Sequence, residues 1–244
     1  MHKTLLTVLL SAALMPAQTE SPVVGVGPFL HMVSDLDQSL AFYRDKLGLE
    51  LTGPAGEHKF TDNPAVANLY GVPGKQFRAA VLKIPGSPMG IELVQWGEAR
   101  KPQAGPTAVT LMLRRPGAIR TTLVDPDGFT VEVNPSVIAG AALMIDVNDA
   151  GKAAALYEST LGLKSDQVRF TTAGNKALNV PFPTPGQGML RLFVRDIDGL
   201  TASLKSAGFS VITTGGVPVT LPQGQRVIIL RDPNNFYWQL METR

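Results

Sequence analysis

The sequence predicts an α+β fold made of two tandem copies of one strand-and-helix block, and two pairs of matching segments carry this prediction. In the first pair, an aromatic-ended helix pattern runs into a Leu-Gly-Leu stop. In the second pair, an Asp-Pro turn separates two extended stretches, as in a β-hairpin. The pairs are SLAFYRDKLGLEL (39–51) with AAALYESTLGLKS (153–165), and GAIRTTLVDPDGFTVEV (117–133) with GQRVIILRDPNNFYWQL (224–240).

Nearly equal offsets extend the duplication to the whole chain. The Asp that opens the helix pattern, Asp35, recurs 114 residues later as Asp149. The Asp that closes the block, Asp125, recurs 107 residues later as Asp232. Near-equal offsets of this kind are typical of a repeated structural unit. The chain then divides into two copies, 24–135 and 140–244.

Residues 1–17 have the pattern of a signal peptide. Lys3 is followed by an apolar run from Leu5 to Met15 and by Pro16-Ala17, which gives a positive start, a short hydrophobic stretch and a small residue for cleavage. The run is too short for a permanent span of the bilayer. An N-terminal helix and an uncleaved interfacial anchor are the alternatives. We expect an exported protein, periplasmic or secreted, with no stable membrane span after the leader is removed.

The first copy opens with a strand at 28–33 and a helix. Asp35 and Gln38 form a capping box at the helix start, and Gly48 supplies the left-handed residue that ends it. Four apolar residues at helical spacing form the buried stripe of this helix: Leu36, Leu40, Tyr43 and Leu47. Further strands are predicted at 77–84, 90–96 and 108–113. The last of them leads straight into the closing hairpin, so the second unit of this copy lacks its helix.

The second copy repeats this order with a different part shortened. A strand at 142–147 leads to a helix that starts at Asp149 and ends at Gly162, and a second strand-and-helix unit lies at 189–210. After the first of these helices there is little room before Gly188 for the two middle strands of the first copy. The first unit of the second copy is therefore abbreviated.

Composition indicates a soluble globular protein and excludes several kinds of binding and catalytic site. Hydrophobic residues make up 44% and charged residues 17% of the 244, and the net charge of +2 gives no electrostatic case for binding nucleic acid. The absence of cysteine removes disulfides and thiol nucleophiles. Neither a phosphate-binding loop nor a Ser/His/Asp triad can be assigned, so we expect no nucleotide cofactor.

Three motifs in order resemble one superfamily: VSDLDQSLAFYRDKLGLEL, GIELVQWG and DPDGFTVEV. Together they look like the vicinal oxygen chelate superfamily, which includes glyoxalase I, bleomycin-resistance proteins, extradiol dioxygenases and fosfomycin-resistance enzymes. The resemblance covers essentially all of the chain after the leader, as four units of which two are abbreviated. It implies tandem βαβββ units whose paired, curved mixed sheets form a cupped cavity, with the helices on the outside. Such a cavity suits a small organic molecule.

The resemblance also implies where a divalent metal ion would be held. Family members with metal usually take a His from the first strand of a unit, seven residues before the helix-start Asp, and a Glu from a closing strand. The Glu matches at Glu92 and at Glu132. Pro28 stands at the first His position, and Thr107 or Ala108 stands at the second. The second copy has no usual ligand at its corresponding positions, which are Ala142, Met189 and Gln239.

His31 is the remaining imidazole on the first strand. It lies three residues from the expected ligand position, and the alternation of strand side chains directs an odd offset to the helix-covered face. A bulge at the Gly-rich start of the strand would turn it into the cavity instead. In that case His31, Glu92 and Glu132 could hold one divalent metal ion that acts as a Lewis acid. Either carboxylate could then serve in catalysis as a proton carrier.

The two carboxylates differ in their predicted surroundings. Glu92 shares its strand face with Val94 and Trp96, and a carboxylate among such neighbours must be paired, bound to a metal or shifted in pKa. Glu132 shares a face with Thr130 and Asn134, so a solvated strand face is the alternative to a place in the cavity.

Two functions of different class stay open. The missing metal ligands favour a protein that binds a small organic molecule without changing it. Retention of Glu92 and Glu132 favours a metal-dependent lyase, isomerase or dioxygenase with its single site in the first copy. A degenerate copy kept for its interactions is a third possibility, and a filled cavity would indicate it. The chain could act as a monomer, because two copies can do internally what single-copy relatives do as dimers, or as a homodimer.

Overall fold

The computed structural model describes residues 20–52, 58–97, 108–163, 166–172 and 181–243. The leader at 1–17 lies outside these ranges, so the signal peptide and export stay predictions. Thr107, one of the two positions considered for a missing His, also lies outside them. Within the described ranges, no helix has both the length and the apolar character that a bilayer crossing requires.

The first copy contributes seven strands and two α-helices to the described residues. In chain order they are β1 (Val23–Met32), α1 (Leu36–Leu40), β2 (Glu50–Thr52), α2 (Pro64–Leu69), β3 (Phe77–Lys83), β4 (Gly90–Trp96), β5 (Val109–Arg115), β6 (Thr121–Val124) and β7 (Thr130–Pro135). Between β5 and β6 the chain makes a turn and no helix, in the part where every residue is described.

The second copy contributes seven strands and two α-helices to the described residues. They are β8 (Gly140–Asp146), α3 (Ala150–Leu161), β9 (Val168–Thr171), β10 (Gly188–Val194), α4 (Ile197–Ser206), β11 (Ser210–Val211), β12 (Val219–Thr220), β13 (Arg226–Arg231) and β14 (Tyr237–Glu242). The hairpins around the two Asp-Pro turns are therefore β6–β7 and β13–β14.

Local signals explain the helix boundaries. Asp35 caps α1 by accepting hydrogen bonds from the backbone N–H groups of Asp37 and Gln38. The predicted helix continues beyond α1, but its second half, Ala41–Lys46, winds as a π-helix. Our sequence reading missed α2, although Asn63 as its cap and Pro64 at its first turn are a recognised start signal.

Two mixed sheets organise the molecule. Sheet A has the strand order β11-β13-β14-β10-β1-β4-β3-β2, with β12 paired to β13, and sheet B has the order β6-β7-β5-β8-β9. Sheet A is joined at its centre by the antiparallel pair β1–β10, and sheet B by the antiparallel pair β5–β8. Each sheet therefore takes one unit from each copy: the outer two units of the chain form sheet A, and the inner two form sheet B.

The principal core lies on the helix-covered side of both sheets. Its buried residues come from the strands and from the helices. They include Leu36, Leu40 and Tyr43 of the predicted stripe, and Tyr157 and Leu204 of the second copy's helices. A second, smaller core lies on the opposite face of sheet A and includes Ala67 and Leu69 of α2. The predicted α+β class with paired mixed sheets is thus confirmed, and α2 covers part of a sheet face that would otherwise be open.

Candidate functional site

The face of sheet A that α2 partly covers carries a polar cluster at its centre. In the register of the sheet, Glu92 of β4 lies beside Leu30 of β1, and Arg191 of β10 lies beside Gln239 of β14. Arg191 Nη2 donates to Glu92 Oε2 at 3.0 Å, and Arg191 Nε donates to Gln239 Oε1. The sequence predicted that Glu92 would be paired, bound to a metal or shifted in pKa. The structure shows that it is paired with a guanidinium.

The residues of this cluster do not fit a divalent metal ion. The guanidinium of Arg191 is permanently protonated. It therefore already provides a positive charge beside Glu92, where the family resemblance implies a metal ion. Glu92 is the only anionic member of the cluster formed by Glu92, Arg191 and Gln239. In the two units that sheet A joins, the His positions are Pro28 of β1 and Met189 of β10, and neither is a usual ligand for such an ion.

An open cavity of about 470 Å³ lies beside this cluster. Its lining residues are Tyr70, Gly71, Pro181, Phe182, Ile212, Arg231 and Tyr237. The ring of Phe182 stacks on Tyr237 with centroids 4.4 Å apart and on Tyr70 with centroids 5.8 Å apart. The cavity is therefore walled by three aromatic rings and has the guanidinium of Arg231 as its charged group.

Tyr70 connects the cavity to the polar cluster. Burial raises the pKa of its hydroxyl far above the ordinary value, and the negative charge of Glu92 raises it further. A hydrogen bond with Gln239 acts in the opposite direction. The Tyr70 hydroxyl is consequently a neutral hydrogen-bonding group at physiological pH, and it lies close enough to Glu92 and Arg191 to be affected by their charges.

His31 lies on the other side of sheet A, facing the helix-covered core. It is fully buried and its ring contacts Tyr43 and Phe129. Its Nε2 lies 2.6 Å from Asp125 Oδ2, and its Nδ1 lies 3.1 Å from the carbonyl oxygen of Gln187. Burial lowers the pKa of His31, but the Asp125 carboxylate, with smaller contributions from Asp127 and the Gln187 carbonyl, outweighs this effect, so the pKa lies above its ordinary value.

Two aspartates of the β6–β7 turn complete a buried group with His31. Asp125 Oδ1 accepts from the backbone N–H groups of Asp127 and Phe129, at 2.9 and 2.7 Å, and Asp125 Oδ2 accepts from Tyr43 Oη at 3.0 Å. Burial opposes ionisation of Asp125, but His31 and these donors hold its pKa below the ordinary value. Asp127 Oδ2 accepts from the backbone N–H of Ser34 at 3.0 Å, and burial raises the pKa of Asp127.

The second copy repeats the Tyr–Asp part of this arrangement. Asp232 Oδ1 accepts from the backbone N–H groups of Asn234 and Phe236 at 2.7 and 2.9 Å, and Asp232 Oδ2 accepts from the hydroxyl of Tyr157. The indole Nε1 of Trp238 donates to the same oxygen at 2.8 Å. The carboxylate of the Asp-Pro turn is therefore a structural anchor in both copies.

Comparisons with known proteins bear on the fold. No model of a protein family matches the chain, and no curated protein sequence matches it. Solved structures do match. A glyoxalase I variant from Zea mays superposes with a TM-score of 0.55 at 15% identity, covering 88% of this chain and 90% of that one. The chain has the vicinal oxygen chelate fold.

Two further solved structures are similar to the chain at the same level. A putative dioxygenase from Bacillus subtilis has a TM-score of 0.54 at 15% identity, covering 91% of this chain and 86% of that one. The cppA protein from Streptococcus pneumoniae has a TM-score of 0.55 at 12% identity, covering 91% of this chain and 99% of that one.

Within the vicinal oxygen chelate fold, the predicted site residues occupy three different places. Glu92 shares the face of Leu30, so it lies opposite to His31, the next residue along β1. Glu132 is half-buried on β7 of sheet B. Among the described residues, the group whose ligand atoms lie close enough to share a metal ion is His31, Asp125 and Asp127. It contains neither glutamate, and the catalytic and metal-binding roles assigned to Glu92 and Glu132 stay predictions.

Sequence reasoning missed four residues of these two clusters as site residues. They are Tyr70, Asp125, Asp127 and Arg191. Asp125 was recognised as a marker of the repeat, but its chemistry was not considered. A signal for Arg191 existed, because a lone Arg inside the apolar strand Gly188–Val194 must find a partner. Nothing in the sequence of α2 indicated that Tyr70 would lie over sheet A.

Proposed function

We propose that this chain binds a small organic molecule on the α2-covered face of sheet A, in the cavity beside Tyr70. One observation carries the proposal: a cavity of about 470 Å³ whose wall combines aromatic rings with one guanidinium. Ligand pockets in proteins are typically concave and mostly apolar, with a few polar groups that orient the ligand. A volume of this size accommodates a molecule of one or two rings.

The chemistry of the wall indicates the ligand class. Tyr70, Phe182 and Tyr237 offer flat apolar surfaces on which an aromatic body can stack. Arg231 lines the same cavity and hydrogen-bonds the Tyr237 side chain, and its guanidinium has further N–H donors that suit a carboxylate. An aromatic or similarly flat carboxylate combines both features, and it is the class of ligand that we expect.

Binding without metal-dependent catalysis is supported by the cluster next to the cavity. Arg191 holds Glu92 at 3.0 Å and also bonds Gln239, so these side chains already satisfy one another. The alternative, a metal-dependent lyase, isomerase or dioxygenase in the first copy, would need Glu92 to leave this pair. We therefore propose that the aromatic wall and Arg231, and not a metal ion bound to Glu92, hold the ligand.

Fluorescence and thermal unfolding of the full chain provide the test. Trp96 packs against Tyr70 with ring centroids 5.0 Å apart, so a molecule stacked in the cavity changes its emission. A panel of aromatic carboxylates is compared with the corresponding uncharged amides. We expect saturable binding and a higher Tm for at least one carboxylate, with weaker binding of its amide.

A pair of variants locates the binding. Arg231→Gln removes the guanidinium from the cavity and should weaken carboxylate binding at least about tenfold. Arg195→Gln is the matched control, because Arg195 is exposed and pairs with the exposed Glu20. No binding by any member of the panel, or equal binding by both variants, would contradict the proposal.

We further propose that the protein is exported, on the strength of the leader pattern at 1–17. Mass spectrometry of the protein made in a bacterial host with a periplasm tests this. The expected result is a mature chain that has lost the leader and is recovered in the periplasmic fraction. An intact N-terminus in the cytoplasmic fraction would contradict it.

A further inference from the structure

We propose that His31, Asp125 and Asp127 form a buried site for one divalent transition-metal ion such as Zn²⁺. The site lies on the helix-covered side of sheet A, whereas the cavity beside Tyr70 lies on the opposite side. The two proposals are therefore independent. The ion would have a structural role, because the site lies within the protein and away from the ligand cavity.

The three side chains come from segments that meet only in the folded chain. His31 is on β1, and Asp125 and Asp127 are in the turn between β6 and β7. One ligand atom of each lies within 4.8 Å of the others, and the exposed fractions of the three residues are 0%, 5% and 1%. Nitrogen and oxygen ligands at such spacing can reach one ion with a small adjustment, because bonds to Zn²⁺ are about 2.0–2.2 Å long.

Each side chain is oriented through its other polar atom. His31 Nδ1 lies 3.1 Å from the Gln187 carbonyl oxygen, to which it can donate, and this leaves Nε2 for the metal. Asp125 Oδ1 is held by two backbone N–H groups of its own turn. Asp127 Oδ2 is held by the backbone N–H of Ser34. The atoms proposed as ligands are His31 Nε2, Asp125 Oδ2 and Asp127 Oδ1, one from each residue. Asp125 Oδ2 also accepts from Tyr43 Oη at 3.0 Å, and its second lone pair serves the ion.

Asp127 Oδ1 is the atom that points to a missing ligand. It is buried and has no hydrogen-bond partner. Leaving a buried carboxylate oxygen unsatisfied is costly, and such atoms in folded proteins call for a specific explanation. A cation held jointly with His31 and Asp125 would satisfy this oxygen.

The second copy shows that the fold does not need an imidazole or a second carboxylate at the positions of His31 and Asp127. Its Tyr157–Asp232 anchor is intact, yet the position that matches His31 holds Ile145 and the position that matches Asp127 holds Asn234. Only the first copy combines the structural aspartate with an imidazole and a second carboxylate. This difference is expected if the first copy has a ligand that the second lacks.

The ligand set selects the kind of ion. One imidazole and two carboxylates suit first-row transition metals such as Zn²⁺ or Mn²⁺ better than soft ions that prefer thiolates. Two carboxylates also balance the charge of a divalent cation. In the metal-free protein, His31 Nε2 and Asp125 Oδ2 are 2.6 Å apart, and the proton on Nε2 joins them in a hydrogen bond. Binding would release that proton to solvent and separate the two atoms to about 3 Å, as expected for neighbouring ligands of one ion.

Calorimetric titration of zinc into the untagged, chelator-treated full chain tests the proposal. We expect one zinc ion per chain and a higher Tm of the zinc-loaded protein. Asp127→Asn copies the residue of the second copy, keeps an oxygen for Ser34 and should weaken zinc binding at least about tenfold. Asp166→Asn removes an exposed carboxylate and is the matched control, with binding equal to that of the wild type.

X-ray absorption of the zinc-loaded wild-type protein gives a second measurement that does not depend on a variant folding. The expected spectrum has light-atom ligands near 2.0 Å with the multiple-scattering signature of one imidazole, and His31→Gln should abolish that signature. The proposal is overturned if the wild type binds no zinc, if Asp127→Asn binds it as tightly as the wild type, or if the bound zinc shows no imidazole ligand.

Discussion

The Tyr43 hydroxyl donates a hydrogen bond of 3.0 Å to the Asp125 carboxylate, across 82 residues of sequence. The donor belongs to the first unit of the first copy and the acceptor to the second unit. Tyr157 and Asp232 make the same contact in the second copy. In each copy, the tyrosine lies on the helix that follows the first strand of one sheet, and the aspartate lies in a hairpin turn of the other sheet. The two sheets are therefore anchored to each other at two places.

Removing either tyrosine hydroxyl should destabilise the protein. Tyr43→Phe and Tyr157→Phe keep the buried rings but take one donor away from a buried carboxylate, which typically costs about 1–3 kcal/mol. Urea unfolding followed by circular dichroism measures the change. Tyr237→Phe, which alters a hydroxyl at the cavity wall and leaves both anchors intact, is the comparison. Equal stability of all three variants and the wild type would contradict the anchoring role.

His31 and Asp127 should be energetically coupled in the metal-free protein. His31→Ile, which copies Ile145, leaves two buried carboxylates without their cationic partner and should cost about 3–5 kcal/mol. Asp127→Asn removes one of these carboxylates, so the double variant should be more stable than the sum of the two changes predicts. A double-mutant cycle in the presence of chelator should give a coupling of about 0.5–3 kcal/mol. Strict additivity would show that the two charges do not interact.

Glu92 and Arg191 should stabilise sheet A as a pair. Arg191→Met leaves Glu92 facing apolar neighbours and should cost about 1–3 kcal/mol, whereas Glu92→Gln keeps an acceptor for the guanidinium and should cost less. Combining the two changes should recover part of the loss, because the double variant contains no unpaired charge. Thermal and urea unfolding of the four proteins measure this. A double variant less stable than Arg191→Met alone would contradict the pairing.

Gly188 should not tolerate a side chain. It opens β10 beside His31 of β1, and a Cβ built on it would lie 2.1 Å from the Phe29 ring, which is fully buried. Gly188→Ala should therefore destabilise the protein by about 1–3 kcal/mol through overpacking. Gly151→Ala on the exposed first turn of α3 is the control and should be neutral or slightly stabilising. An unchanged urea midpoint for Gly188→Ala would mean that Phe29 can move aside.

Much of the fold could be predicted because its signals are local. The helix caps Asp35 and Asp149, the stripe that includes Tyr43, and the two Asp-Pro turns each depend on a few neighbouring residues. The alternation of side chains along β1 also gave one of the two directions considered for His31, the helix-covered face, and this is where His31 lies. Local patterns thus indicated the elements and the faces of their residues.

The composition of the site could not be predicted because it depends on which units pair. No local pattern states that the first unit joins the last one, so the meeting of Glu92 with Arg191, 99 residues away, was invisible. The same holds for His31 and Asp125, which come from different units. The need for a partner at Glu92 followed from its apolar neighbours, whereas the identity of that partner required the three-dimensional structure.

The antiparallel pair β1–β10 has a consequence for synthesis of the chain on the ribosome. Sheet B uses a contiguous stretch, from β5 to β9, and can be completed as soon as Thr171 has emerged. Strand β1 is made early, yet its partner β10 ends only at Val194. Until then, the edge of β1 that later pairs with β10 has no partner. We expect nascent chains on the same message to be able to pair with one another wrongly at this edge.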